Sequence, residues 1–142
     1  MKTLKQLLES KPHGILSIAP DALVIDALKL MAEKNVGALL VMDAGRLVGI
    51  MTERDYARKV ALKGKSSLDI PVREIMTAKV LCVHPDQSVE ECLGMMTEIR
   101  VRHLPVSEHD RVLGVLSIGD LVKETISEQE FMIKQLESYI HH

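Results

Sequence analysis

Short apolar runs and helical apolar stripes alternate along this chain, and the whole alternation occurs twice. Ile15 to Ile18 and Val80 to Val83 are brief apolar runs, each closed off by a nearby proline, a pattern that predicts buried strands. Val24, Ala27, Leu28 and Met31 then fall at i, i+3, i+4 and i+7. Val89, Cys92, Leu93 and Met96 repeat that spacing, so each set predicts a helix with one apolar face. Ala38 to Met42 runs apolar, breaks at Asp43-Ala44-Gly45 and resumes at Leu47 to Met51, which predicts a hairpin. The same break recurs around Glu108-His109-Asp110, and a second helix is predicted after each hairpin.

The recurrence keeps one register. A shift of 65 residues places Pro20-Asp21 on Pro85-Asp86, Gly49 on Gly114 and Asp55 on Asp120, with no gap between. The expected fold class is therefore α/β (α+β), as two β-α-β-β-α repeats. A copy of about 50 residues is marginal alone, so the two are expected to pack on each other with pseudo-twofold symmetry. The expected divisions are a helical segment over 1–13, a first repeat over 14–63, a linker over 64–75, a second repeat over 76–126 and a C-terminal helix over 127–142. The linker rests on the polar run Lys63 to Asp69, and the terminal helices on Leu4, Leu7 and Leu8 and on Met132, Leu136, Tyr139 and Ile140. Such appendages cover a module or build a dimer interface.

Composition narrows the function. The 142 residues are 46% apolar but only 2% aromatic, so the core is built from Val, Leu, Ile and Met. A net charge of −2 provides no basic footprint for nucleic acid, and the missing aromatics remove stacking platforms for single strands. No apolar run approaches the roughly 18 residues of a membrane span, and no secretory leader is expected, which points to the cytoplasm. Cys82 and Cys92 lack zinc spacing and are expected as buried free thiols. His141 and His142 resemble the remnant of a purification tag and are set aside. No metal site is expected.

The doubled turn carries the chemistry: Gly49-Ile50-Met51-Thr52-Glu53-Arg54-Asp55 and Gly114-Val115-Leu116-Ser117-Ile118-Gly119-Asp120. A lone T-x-x-D reads first as a capping box and is a weak signal by itself. Here each turn starts on a glycine at a strand end, where backbone can approach closely. Each ends at a helix N-terminus, where N–H groups and the dipole favour an anion. A Thr or Ser hydroxyl can donate to phosphate, and the Asp one turn on suits two ribose hydroxyls. The set fits a nucleoside phosphate.

From about residue 14 to 125 the chain resembles a tandem pair of cystathionine-β-synthase (CBS) domains, a Bateman module. The carriers are the two turns, the "APD" and "HPD" after each first strand, and "VRHLPV" at residues 101–106. The resemblance implies two clefts between the copies that bind adenosine compounds: AMP first among them, then ADP, ATP, NAD or S-adenosylmethionine. It also implies a disc-like homodimer. By that resemblance Asp55 and Asp120 hold ribose hydroxyls, and Thr52 and Ser117 sit at the phosphate. Ile50, Met51, Val115 and Leu116 wall the adenine, and the first strand of the opposite copy, at Ile18 and Ala19 or at Val83 and His84, closes each cleft. Arg54, Arg102 and His103 are the expected phosphate partners; solvated surface is the plain alternative for Arg54, Arg58, Arg100 and Arg102, and an interior histidine for His103. Glu53-Arg54 against Ile118-Gly119 makes the sites unequal, with the first favoured for phosphate.

An enzyme needs a nucleophile, an acid–base pair or metal ligands arranged together, and none of those motifs occurs, so no catalytic residue is expected. Gly64-Lys65-Ser66 mimics the end of a phosphate-binding loop, but Lys59 stands where its first glycine belongs. The reading is a ligand-sensing regulatory module that passes occupancy to an unidentified effector protein. The alternative is a scaffold or dimerisation module whose turns only cap helices.

Overall fold

The computed structural model describes residues 2–10 and 15–141. In chain order they form α1 (Leu4–Glu9), β1 (Ser17–Ile18), α2 (Val24–Lys34), β2 (Ala38–Asp43), β3 (Arg46–Thr52) and α3 (Glu53–Tyr56). Next come α4 (Val89–Ile99), β4 (His103–Glu108), β5 (Arg111–Ser117) and α5 (Ile118–Ile140). The fold is mixed α/β with two small sheets, β1-β2-β3 and β4-β5. The expected boundary at residues 13 and 14, and His142, lie outside the described residues.

The chain divides into two compact units, and the division does not follow its halves. One unit is residues 15–81, and the other joins residues 82–141 to residues 2–10. In the first, Val24, Ala27 and Met31 of α2 are buried with Leu39, Val41 and Met51 of the hairpin. In the second, Val89, Cys92 and Met96 of α4 are buried with Leu104, Val106 and Leu116. The apolar stripes of both helices therefore face the cores, with Leu28 and Leu93 at their margins.

Each unit is closed by the segment that precedes the other copy in sequence. Residues 70–73 run along the start of the first copy: Val24 N–H donates to Ile70 O at 2.9 Å, Val72 N–H to Ala22 O at 2.8 Å and Arg73 N–H to Pro20 O at 2.9 Å. Residues 2–5 treat the second copy alike. Val89 N–H donates to Lys2 O at 3.1 Å, Leu4 N–H to Gln87 O at 2.9 Å and Lys5 N–H to Pro85 O at 2.9 Å. Ile70, Val72 and Ile75 thereby enter one core, and Leu4 and Leu7 the other. The stretch after Lys63 is no free tether: α3 continues as a π-helical turn, Ala57–Ala61, Gly64 turns the chain at φ +65°, and the backbone then returns to its own unit.

Both hairpins are closed by two residues with positive φ, Ala44 and Gly45 in one and His109 and Asp110 in the other. Such a pair twists with the strands it joins. The first strands differ. Ser17–Ile18 pairs in parallel with Leu40–Val41, but the expected second-copy strand Val80 to Val83 shrinks to a single bridge, Val83 to Val106. The reason is Pro105. Leu40 N–H donates to Leu16 O at 3.2 Å, and 65 residues on the donor would be Pro105, which has no N–H. The expected burial of both thiols also holds only for Cys92. Cys82, in this unpaired stretch, is half-buried, and both are free.

Candidate functional site

In each copy the last strand of the hairpin ends on the hydroxyl residue that caps the next helix. Asp55 N–H donates to Thr52 Oγ1 at 3.2 Å, and Thr52 N–H to Asp55 Oδ2 at 3.0 Å. Asp120 N–H donates to Ser117 Oγ at 3.2 Å, and Ser117 N–H to Asp120 Oδ2 at 2.8 Å. Both are reciprocal capping boxes. The first helical N–H is also taken, Glu53 by Gly37 O at 3.1 Å and Ile118 by Arg102 O at 2.8 Å.

Around this shared frame the copies diverge. Asp55 is only 7% exposed, the one buried charged residue among those described. Its Oδ2 also accepts from Thr52 Oγ1 at 3.1 Å, while its Oδ1 accepts from Thr77 Oγ1 at 3.1 Å and pairs with Lys59 Nζ at 3.1 Å. Lys59 Nζ donates further to Ile75 O at 2.9 Å. A buried carboxylate is tolerated when it is paired and fully hydrogen-bonded, and this one is. In the second copy Glu124 stands where Lys59 stands in the first, and it pairs with Lys2 at 3.1 Å. Asp120 is half-buried.

The glycines that open the turns face protein. A Cβ on Gly49 would lie 2.6 Å from Met76 Sδ and 3.0 Å from Thr77 O, and one on Gly114 would lie 2.8 Å from Leu8 Cδ2. Close approach is required at both, by the segment that closes each unit.

The family model for the CBS domain matches residues 10–62 and again residues 72–127. The chain belongs to the CBS domain family. A solved protein with CBS domains from Burkholderia ambifaria is 52% identical, with a TM-score of 0.87 over 90% of this chain and 96% of that one. The Arabidopsis thaliana CBS domain-containing protein CBSX3, mitochondrial, is 41% identical over 84% of this chain. The chain spans 61% of that relative's length. The CBS domain pair of protein MJ0100, solved with 5′-methylthioadenosine and S-adenosyl-L-methionine, is 27% identical with a TM-score of 0.78, over 90% of this chain and 98% of that one.

In this CBS pair, one unit holds Ile50, Met51, Thr52, Arg54 and Asp55 at the end of β3 and the start of α3, and also holds Ile18 and Ala19, on and after β1 and separated from β3 by β2. The other holds Val115, Leu116, Ser117 and Asp120, with His103 paired to Ser117 across the hairpin and Arg102 O accepting from Ile118 N–H, and also holds Val83 and His84. Met51 and Leu116 point wholly into their cores, as alternation along a strand requires of every second residue. Ile50 lies at the core's edge, Val115 is half-buried, and Arg54 and Arg102 are exposed.

Sequence reasoning missed Lys59 and Thr77. Lys59 was available as the i+4 partner of Asp55, but Thr77 lies 22 positions on and reaches Asp55 only through the fold. It also missed a cluster at His84. The ring faces Asp86 Oδ2 through Nδ1 and Glu108 Oε2 through Nε2, each at 3.5 Å. One ligand atom from each of the three lies within 4.8 Å of the others, the sole such group among the described residues. The Nδ1 lone pair already accepts from Asp86 N–H at 3.2 Å, so the ring is oriented by its own turn. No described helix is long and apolar enough to cross a membrane.

Proposed function

We propose that the chain is a ligand-sensing regulatory module that binds adenosine nucleotides, AMP, ADP, ATP or NAD, at its two hydroxyl-to-Asp turns, and that it signals occupancy to an effector protein. The observation that carries this is the doubled turn itself: hydroxyl, helix N-terminus and carboxylate in the same register in both copies, in a family with a member solved with adenosine compounds. The module is non-catalytic, cytoplasmic and homodimeric in this reading. Signalling then requires that the ligand bind two conformations with different affinity.

The turns are unequal, and the first suits phosphate. Lys59 places a cation beside Asp55 where the second copy has Glu124, and Arg54 and Arg58 lie on the same helical stretch. A ribose at Asp55 competes with Thr77 and Lys59 for Oδ1. A phosphate oxygen competes with Oδ2 for the Thr52 hydroxyl. Those engaged groups also support the second reading, a scaffold whose turns only cap helices.

Calorimetric titration with AMP, ADP, ATP, NAD and S-adenosylmethionine separates the two. The expected result is saturable binding that weakens at least about tenfold in Asp55→Asn or Asp120→Asn, the effect of one lost hydrogen bond to a charged acceptor. Lys59→Glu, which copies the second site's charge into the first, is expected to weaken ATP more than S-adenosylmethionine. No heat with any of the five, from protein with an unchanged circular dichroism spectrum, leaves the scaffold reading.

A further inference from the structure

The far end of α5 carries an apolar seam with no cover. From Phe131 to Ile140 every residue of the helix is exposed, so nothing in the described chain packs on any side of it. Isolated helical stretches shorter than about 12 residues are marginal in water, and a helical end of this length needs a partner to persist. Apart from Phe131, which lies on the opposite side, the apolar residues there are ordered by a heptad. Ile126, Ile133 and Ile140 recur every seventh position, and Val122, Gln129 and Leu136 interleave with them at a second seventh position. These are the a and d rows of a coiled-coil seam, with β-branched residues in one row. Met132 and Tyr139 widen it on one flank.

We propose that α5 pairs with α5 of a second copy of this chain, antiparallel, through this seam. The inference rests only on the dimeric part of the reading above and needs no nucleotide. Its direction follows from charge. Antiparallel pairing sets row a against row d, so Ile126 meets Leu136, Gln129 meets Ile133 and Val122 meets Ile140 of the partner subunit. In that register the flanking row e faces itself. Lys123 then meets Glu137 of the partner subunit, and the twofold axis makes the pair twice, with Glu130 alone facing its own image. Parallel pairing would stack Gln129 on its copy and leave Lys123 with no acid opposite. Lys123, Glu130 and Glu137 are all exposed.

The area suffices. Val122, Ile126, Met132, Ile133, Leu136, Tyr139 and Ile140 are between 41% and 83% exposed. At roughly 100 Å² of exposed side chain apiece they offer about 700 Å² per copy, close to the ~800 Å² that each partner buries in a stable interface.

Sedimentation velocity of the full chain over the micromolar range tests this. Ile133→Lys/Leu136→Lys lies on the exposed end and leaves both cores untouched. The expected outcome is one association step lost from that variant, with affinity reduced at least about 100-fold by charges placed in the seam. Lys123→Glu is expected to weaken the same step, and Lys123→Glu/Glu137→Lys to restore it, which only the antiparallel register allows. A wild-type chain that stays monomeric overturns both this inference and the homodimer. A wild type that associates identically to Ile133→Lys/Leu136→Lys overturns the α5 seam and leaves the homodimer standing. Failure of the charge swap to restore association overturns the antiparallel pairing.

Discussion

Gly49 and Gly114 hold matched places, yet a methyl group would not cost the same at each. On Gly49 it meets the backbone oxygen of Thr77 as well as Met76, whereas on Gly114 it meets only the tip of Leu8. Gly49→Ala is therefore expected to cost about 1–3 kcal/mol by overpacking, and Gly114→Ala less than about 1 kcal/mol because a leucine tip can turn aside. Urea titration of the two variants checks the order. The caps differ in the same sense. Thr52→Ala removes a cap and one donor to a buried carboxylate, while Ser117→Ala removes a cap, and a loss of about 1 kcal/mol is the floor for the first and the expectation for the second. Burial pushes the Cys92 thiol up, so it holds its proton at pH values where an ordinary thiol ionises. A thiol reagent is expected to modify Cys82 first, with Cys82→Ser abolishing the fast phase. As pH rises, Cys92 should lag behind until higher pH or unfolding exposes it. The hydroxyl, the acid and their spacing were legible in the sequence, because a capping box is local. That Asp55 would be buried was not, since Thr77 approaches it from another segment.

Among the elements, the two hairpins and the apolar faces of α2 and α4 follow the hydrophobic pattern, with Leu28 and Leu93 at the core margins and the strands running on to Asp43 and Glu108. The failures are instructive. The second-copy strand was expected from its apolar run, and what cancels it is a proline on the neighbouring strand, visible only once Leu40 is matched to its partner Leu16. Pro105→Ala should supply the missing donor, and the new amide is expected to be protected from hydrogen exchange by Leu81 O. Free exchange of that amide in the variant would mean that Val80 to Val83 avoids the sheet for another reason. The closing segments were hidden by the register. Thr3 to Leu8 matches Pro71 to Met76 at an offset of 68, not 65, so a search along one diagonal passes over them. Leu4 and Val72, Leu7 and Ile75, and Leu8 and Met76 then occupy equivalent places in the two units.

For the whole molecule, that exchange separates contiguity in sequence from contiguity in structure. Leu4 is fully buried in the unit built from residues 82–141. Leu4→Ala is expected to cost about 2–5 kcal/mol, the range for a buried leucine, and to lower hydrogen-exchange protection in α4, β4 and β5 while that of α2, β2 and β3 stays unchanged. Equal loss in both sets would mean that the units share their stability.

The same exchange gives the chain an order of assembly during synthesis. Residues 15–81 hold everything the first unit packs, so that unit is complete once residue 81 has left the ribosome. Residues 2–10 are made before all of it, yet the surface they cover is among the last to be made. At roughly 5–20 residues per second they wait several seconds with Leu4, Leu7 and Leu8 unshielded. Residues 2–10 are thus made before the first unit and placed after it, and a nascent chain stalled after residue 81 would carry one finished unit and one sticky, uncovered segment.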